Sequence, residues 1–147
     1  MEGSPMNIVE EVSSVRASES SITSFEAELG WSLPADYRSF LVETNGGRPE
    51  PSTFEFTTPS GQSDSLVDWL YSLSDDPYYS LRRNREIFGS RIPDKTLSIG
   101  CDPFGNQILM NRDGEILFWD HELETTEGVV NVHRVASSFT SFVEMFS

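Results

Sequence analysis

The chain has 147 residues, with 10 Lys and Arg against 24 Asp and Glu, a net charge of −14, two His and one Cys. That length fits one domain, and 37% apolar with 12% aromatic residues is enough bulk for a packed core, so the acidity does not mark a disordered tail. The charge opposes binding to a phosphate backbone or an anionic membrane, and the lone Cys101 excludes an intrachain disulfide and a thiolate-rich zinc site.

No apolar run approaches the roughly 20 residues that span a bilayer. The opening MEGSPMNIVEEV lacks the basic and apolar regions of a signal peptide. The expectation is a cytoplasmic protein with neither a nucleic-acid nor a membrane partner. Residues 1–17 read as a lead-in segment and 18–147 as the domain.

In chain order, Ile8, Val9, Val12 and Val15 predict a short first helix, against the preference of β-branched residues. Serines 18, 20 and 21 then offer N-cap hydroxyls to an amphipathic helix carrying Ile22, Phe25 and Leu29, which Gly30 stops. A second helix is predicted over 34–44. Pro34 suits its first turn, Asp36 faces the positive end of the dipole, and Leu33, Tyr37, Phe40 and Leu41 line one face. Asn45-Gly46-Gly47 and Pro49 end it.

Phe54 and Phe56 alternate with Glu55 and Thr57, a short strand near a sheet edge. Leu66, Trp69, Leu70 and Leu73 from Asp64 onward predict a helix, and another is read from Pro77 to Phe88, closed by Gly89. The last third is β-rich. Leu97 and Ile99 form one strand, Asp102-Pro103-Phe104-Gly105-Asn106 a turn, and Ile108 to Met110 and Ile116 to Trp119 flank an Asp113-Gly114 hairpin signal. Val129, Val130 and Val132 add a strand, and Phe139, Phe142, Val143 and Phe146 a closing helix behind Ser137-Ser138. The order defines an α+β single domain.

Chemistry-bearing patterns are sparse. Cys101 with His121 or His133 would make a nucleophilic pair, but Asp102 beside the thiol raises its pKa, and a small buried residue explains it better. His121 lies among Asp120, Glu122 and Glu124 without the spacing of a zincin or deaminase site, so a solvated acidic turn is preferred over a metal site. Asp102 and Asn106 lack calcium-loop spacing and read as Asx-type turn bonding. Asn45-Gly46-Gly47 follows a helix rather than opening one, so it reads as capping, not as a phosphate cradle. Asp75-Asp76 before Pro77 suits capping better than acid/base work.

Charge is uneven: net −11 over residues 1–81, +3 over 82–95 and −6 over 96–147. The basic segment of Arg82, Arg83, Arg85, Arg91 and Lys95 reads as neutralising the protein's own acids. Candidate partner-binding residues are Trp31, in an interhelical corner, the acids Asp75 and Asp76, and the acidic loop Asp120, Glu122, Glu124 and Glu127.

The order Phe25-Glu26-x-x-Leu29-Gly30, Leu33-Pro34-x-Asp36-Tyr37-x-x-Phe40-Leu41 and Asn45-Gly46-Gly47-x-Pro49 resembles the N-terminal signature of the SUKH superfamily. That group includes the Smi/Knr-type fungal cell-wall regulators and many bacterial immunity proteins. Ile99-Gly100-x-Asp102, Gly105-Asn106, a hairpin ending in Trp119-Asp120-His121-Glu122, and Val135-Ala136-x-Ser138-Phe139-x-x-Phe142 continue the likeness. The resemblance implies a central mostly antiparallel or mixed sheet with helices against it, and a protein that binds another protein without catalysis, cofactor or metal. The bacterial members it points to are cytosolic and neutralise polymorphic or contact-delivered toxins, often nucleases. The alternative it leaves is an intracellular adaptor or regulator of cell-wall synthesis or signalling. A hydrolase or ligand-binding domain using Asp102, His121 and Glu122 is the third reading, from a different class. Leu33, Pro34, Tyr37, Asn45, Gly46, Gly47, Asp102, Gly105 and Trp119 match the family pattern and are assigned to structure.

Overall fold

The computed structural model of the chain describes residues 6–123 and 131–147. The first apolar run is a strand, not the expected helix: β1 (Asn7–Glu10) pairs antiparallel with β2 (Arg48–Glu50). Its β-branched Ile8 and Val9 favour extended backbone, and the ladder fixes what local propensity already prefers.

The next two helices lie where their punctuation predicts. Ser18 caps α1 (Glu19–Leu29), its hydroxyl accepting from the Ser21 N–H while Ser21 Oγ accepts from the Ser18 N–H, and Gly30 closes it at φ 85°. Helix α2 (Ala35–Glu43) has Pro34 as its N-cap, and beyond Thr44 the chain turns through a left-handed Asn45. Phe54 and Phe56 lie on β3 (Thr53–Thr58), which forms a two-stranded antiparallel ribbon with β4 (Gly61–Leu66).

The helix expected from Asp64 to Leu73 is instead the end of β4 followed by β5 (Trp69–Leu70). Strand β5 bonds to β6 (Thr96–Cys101) on one edge and to Gly47 on the other, and Val67, Trp69, Leu70, Tyr71 and Leu73 are all buried. A run buried on both faces has no period of its own, so its leucine spacing imitates a helix. The helix read from Pro77 starts later, as α3 (Leu81–Phe88). Asp76 Oδ2 accepts from the N–H groups of Tyr78 and Tyr79, holding 77–79 as a turn, and Ser80 supplies the N-cap.

Strands β7 (Gln107–Asn111) and β8 (Ile116–Trp119) form the predicted hairpin, and β9 (Val132–Ala136) follows; Val129 and Val130 lie outside the described residues. The central sheet runs β5-β6-β7-β8-β9, with every neighbouring pair antiparallel. Hydrogen bonds of 2.9 and 2.8 Å between Gly47 and Leu70 carry it on toward β2 and β1. The chain ends in α4 (Phe139–Glu144), capped by Ser138.

Alternation along the strands divides the interior. Ile108, Met110, Ile116 and Phe118 enter the main core with Ile22, Phe25, Tyr37, Phe54 and Phe142, while Leu109 and Trp119 pack with Ile92 and Phe88 in a second cluster. Phe139 joins α4 to α2, its ring centroid 5.1 Å from Tyr37 and 4.9 Å from Phe40. The result is an α+β domain. No helix among the described residues is long and apolar enough to cross a membrane.

Candidate functional site

The β3–β4 ribbon crosses the ends of β8 and β9 and leaves a groove of about 500 Å³ beside the 102–106 turn. Its floor is aromatic. Phe56 stacks on Phe118 at 4.6 Å and on His133 at 5.7 Å, and β9 holds His133 8% exposed with no side-chain hydrogen bond to a described residue. Asp64 from β4, Asp120 after β8, Leu123 and Phe104 line its sides.

The turn is rigid because one buried carboxylate holds it. Asp102 Oδ1 accepts from the N–H groups of Phe104 and Asn106, both at 2.9 Å, while Oδ2 accepts from Asn106 Nδ2 at 2.8 Å and Ser65 Oγ at 2.9 Å. Asn106 Oδ1 in turn accepts from the His121 N–H and lies 2.8 Å from His121 Nδ1. The expected Asx bonding is therefore present, and it extends to the ribbon and to His121. Phe104 is left at the tip, 66% exposed.

The remaining sequence candidates are dispersed. Asp120 lies in the groove, its Oδ1 accepting from the Glu122 N–H, and Glu122 is exposed beside it; Glu124 and Glu127 lie outside the described residues. Asp75 is exposed and Asp76 holds its turn, both separate from the groove lining. Trp31 is half-buried against the core and lines a second groove of about 470 Å³ between α1, α3 and the start of β6. There Arg82 donates from Nε and Nη2 to the Glu28 carboxylate at 3.0 and 2.7 Å, and Arg85 donates to the Glu28 carbonyl. The guanidinium of Arg82 holds the Glu28 carboxyl below the usual range. Within the basic segment, Arg82 and Arg83 thus pair with the protein's own acids Glu28 and Glu86.

The chemical groups weighed for catalysis are constrained. Burial pushes the Cys101 thiol up to about 11, Tyr71 opposes this as a hydrogen-bond partner, and nearby Asp68 and Asp102 add to it. His121 is tied to Asn106, and among the described residues no group of three or more His, Cys, Asp or Glu is placed to hold a metal ion. Four of the residues read as structural make these contacts. Asn45 and Gly46 pin α2 against 70–73, Gly105 lies under the His121 ring, and Trp119 fills the second cluster.

Sequence reasoning did not find the floor of the groove. The Phe54/Phe56 alternation signalled two aromatics on one face, and an apolar Phe104 inside a polar turn was a further signal, but His133 and Asp64 gave none.

Fold and groove together define an α+β domain with a concave surface that is aromatic below and carboxylate-rimmed above. Residues 16–145 match the model of the SMI1 / KNR4 family (SUKH-1), and the chain belongs to that family. It is also similar to the SPbeta prophage-derived uncharacterized protein YokK of Bacillus subtilis (strain 168), 29% identical over 134 residues that cover 80% of this chain and 68% of that protein.

Proposed function

We propose that this chain is a non-catalytic immunity protein. It binds a cognate polymorphic or contact-delivered toxin domain in the cytoplasm and occludes the toxin's active site. The observation that carries the reading is the groove itself, an aromatic depression rimmed by carboxylates on a chain of net charge −14, built around the Asp102 turn. Aromatic surface supplies buried contact area, and carboxylates select a basic partner. A nuclease is the toxin class that fits, because its basic substrate channel accepts carboxylates where phosphates would bind. Nuclease–immunity pairs elsewhere reach the upper limit of non-covalent affinity, so inhibition by binding alone is physically sufficient.

The test is co-expression of the chain with the toxin domains encoded beside it, scoring survival, followed by titration of the purified toxin's activity. One toxin is expected to be neutralised at equimolar protein. Protection against none of them, with cell-wall synthesis or signalling proteins retained instead on the immobilised chain, replaces this reading with the adaptor one.

A further inference from the structure

We propose that the open edge of β4 takes up an extended, basic segment of a protein partner as a third strand of the β3–β4 ribbon. The inference rests on the protein-binding role proposed above and names the surface and the chemistry of the contact.

The ladder defines the edge. The Thr53 N–H donates to the Ser147 carbonyl at 3.1 Å, and the Thr53 carbonyl accepts from the Ser147 N–H at 3.0 Å, so both backbone groups of Thr53 turn away from β4. Bonded and non-bonded pairs alternate along an antiparallel ladder. Thr53 with Leu66, Glu55 with Asp64 and Thr57 with Gln62 are then the non-bonded pairs, whereas Phe54 with Ser65, Phe56 with Ser63 and Thr58 with Gly61 exchange hydrogen bonds. The N–H and C=O groups of Gln62 and Asp64 therefore point away from β3, where no described strand pairs with them. Both residues are exposed, which makes this stretch a template for an added strand. The opposite edge of the ribbon differs, because the C-terminus occupies it at Thr53.

Charge selects the occupant. Phe54 and Phe56 are buried while Glu55 and Thr57 are exposed, so the register gathers the side chains of Glu55, Thr57, Gln62 and Asp64 on the outer face of the ribbon. Glu55 and Asp64 stand directly opposite each other, a like-charge pair that opposes the pairing of its own strands. Gln62 Nε2 donates to Glu55 Oε1 at 3.3 Å, and no Lys or Arg pairs with either acid among the described residues. In an antiparallel third strand, the residue that exchanges backbone bonds with Asp64 places its side chain on this same face, directly opposite the carboxylate. A lysine or arginine there supplies the missing cation. A second copy of this chain does not, since two β4 edges paired about Ser63 would crowd both Glu55 and both Asp64 side chains onto one face of two chains of net charge −14 each.

The test is an amide NMR titration of the full chain, with hydrogen exchange, using acetyl-Lys-Val-Lys-Val-Lys-amide as the probe. The controls are acetyl-Gln-Val-Gln-Val-Gln-amide and the lysine peptide N-methylated at its lysines, which removes the N–H groups that would face β4. At saturating lysine peptide, exchange protection is expected to rise at the Gln62 and Asp64 amides and to change little at Gly61, Ser63 and Ser65, which already bond to β3. The glutamine peptide should bind about fivefold more weakly or worse, and the N-methylated one about tenfold or worse. Asp64→Asn keeps the N–H and should weaken the lysine peptide by about threefold. Asp64→Pro removes an N–H that the β3 ladder does not use and should abolish binding. Protection without this alternation, undiminished binding of either control peptide, or self-association of the chain through β4 overturns the inference; the peptide controls hold even if the proline variant does not fold. The peptide needs no toxin, so edge binding without cellular protection overturns the immunity reading alone, and protection without edge binding overturns this one alone.

Discussion

Tyr37 and Asn45 are both about 1% exposed, yet their polar atoms are treated differently. The Asn45 side chain donates to the carbonyls of Val15 at 2.9 Å and Leu73 at 3.2 Å and accepts from the Leu73 N–H at 2.8 Å, tying three segments together. The Tyr37 hydroxyl has no hydrogen-bond partner among the described residues, and burial pushes its ionisation well above the ordinary phenol range. Losing three buried bonds at about 1 kcal/mol each predicts that Asn45→Ala costs about 3 kcal/mol. Tyr37→Phe keeps the ring against Phe40 and Phe139 and removes only the unpaired hydroxyl. It should be neutral or stabilising by up to about 1 kcal/mol. Urea midpoints at constant slope measure both. A Tyr37→Phe loss beyond about 1 kcal/mol would place an ordered water on the phenol.

At the scale of elements, the seam between α2 and β5 separates two kinds of helix-ending glycine. Gly30 and Gly46 are both left-handed, at φ 85° and 86°, but a Cβ on Gly30 meets nothing within 4 Å while one on Gly46 would lie 2.7 Å from the Leu70 carbonyl oxygen and 2.8 Å from that of Tyr71. Gly30→Ala should cost about 1–2 kcal/mol, the left-handed penalty alone. Gly46→Ala adds overpacking against backbone that cannot rotate away, and should cost about 3 kcal/mol or more. Thermal unfolding of the two variants, read against the parent, checks the difference; equal losses would show that β5 moves aside. The same seam marks where the sequence stops being legible. Pro34 and Asn45-Gly46-Gly47 bound α2 to within a residue, and Asp113-Gly114 marks its hairpin, because those signals act through local backbone geometry. The 64–73 run has no such signal, since its burial comes from Gly47 on one side and β6 on the other. The groove divides likewise. The Asp102 turn and the acids at 120 and 122 are readable locally, whereas Phe56, Phe118 and His133 meet only because the ribbon packs on β8 and β9.

Across the whole molecule, the cations are largely engaged within the fold. Arg38 reaches Glu19 and Glu26, Arg48 reaches Asp68 at 2.7 Å while lying over the Trp69 ring, Arg82 holds Glu28, and Arg134 holds Glu115 at 2.8 Å. The excess of carboxylates is left to shape the outer field. That field extends about 8 Å at physiological ionic strength and about 30 Å near 0.01 M, so salt tunes it over the distances at which partners orient. Association with a basic toxin should slow by about tenfold or more between those conditions, while dissociation, governed by packed and desolvated contacts, changes far less. Stopped-flow association across a salt series tests this, with an Asp120→Asn variant of the groove run beside the parent. Because the field is a property of the whole chain and the groove of a few residues, the variant should retain most of the salt slope while its complex dissociates faster. A flat salt series would reduce the net charge to a solubility device, and an unchanged dissociation rate would move the contact away from the groove.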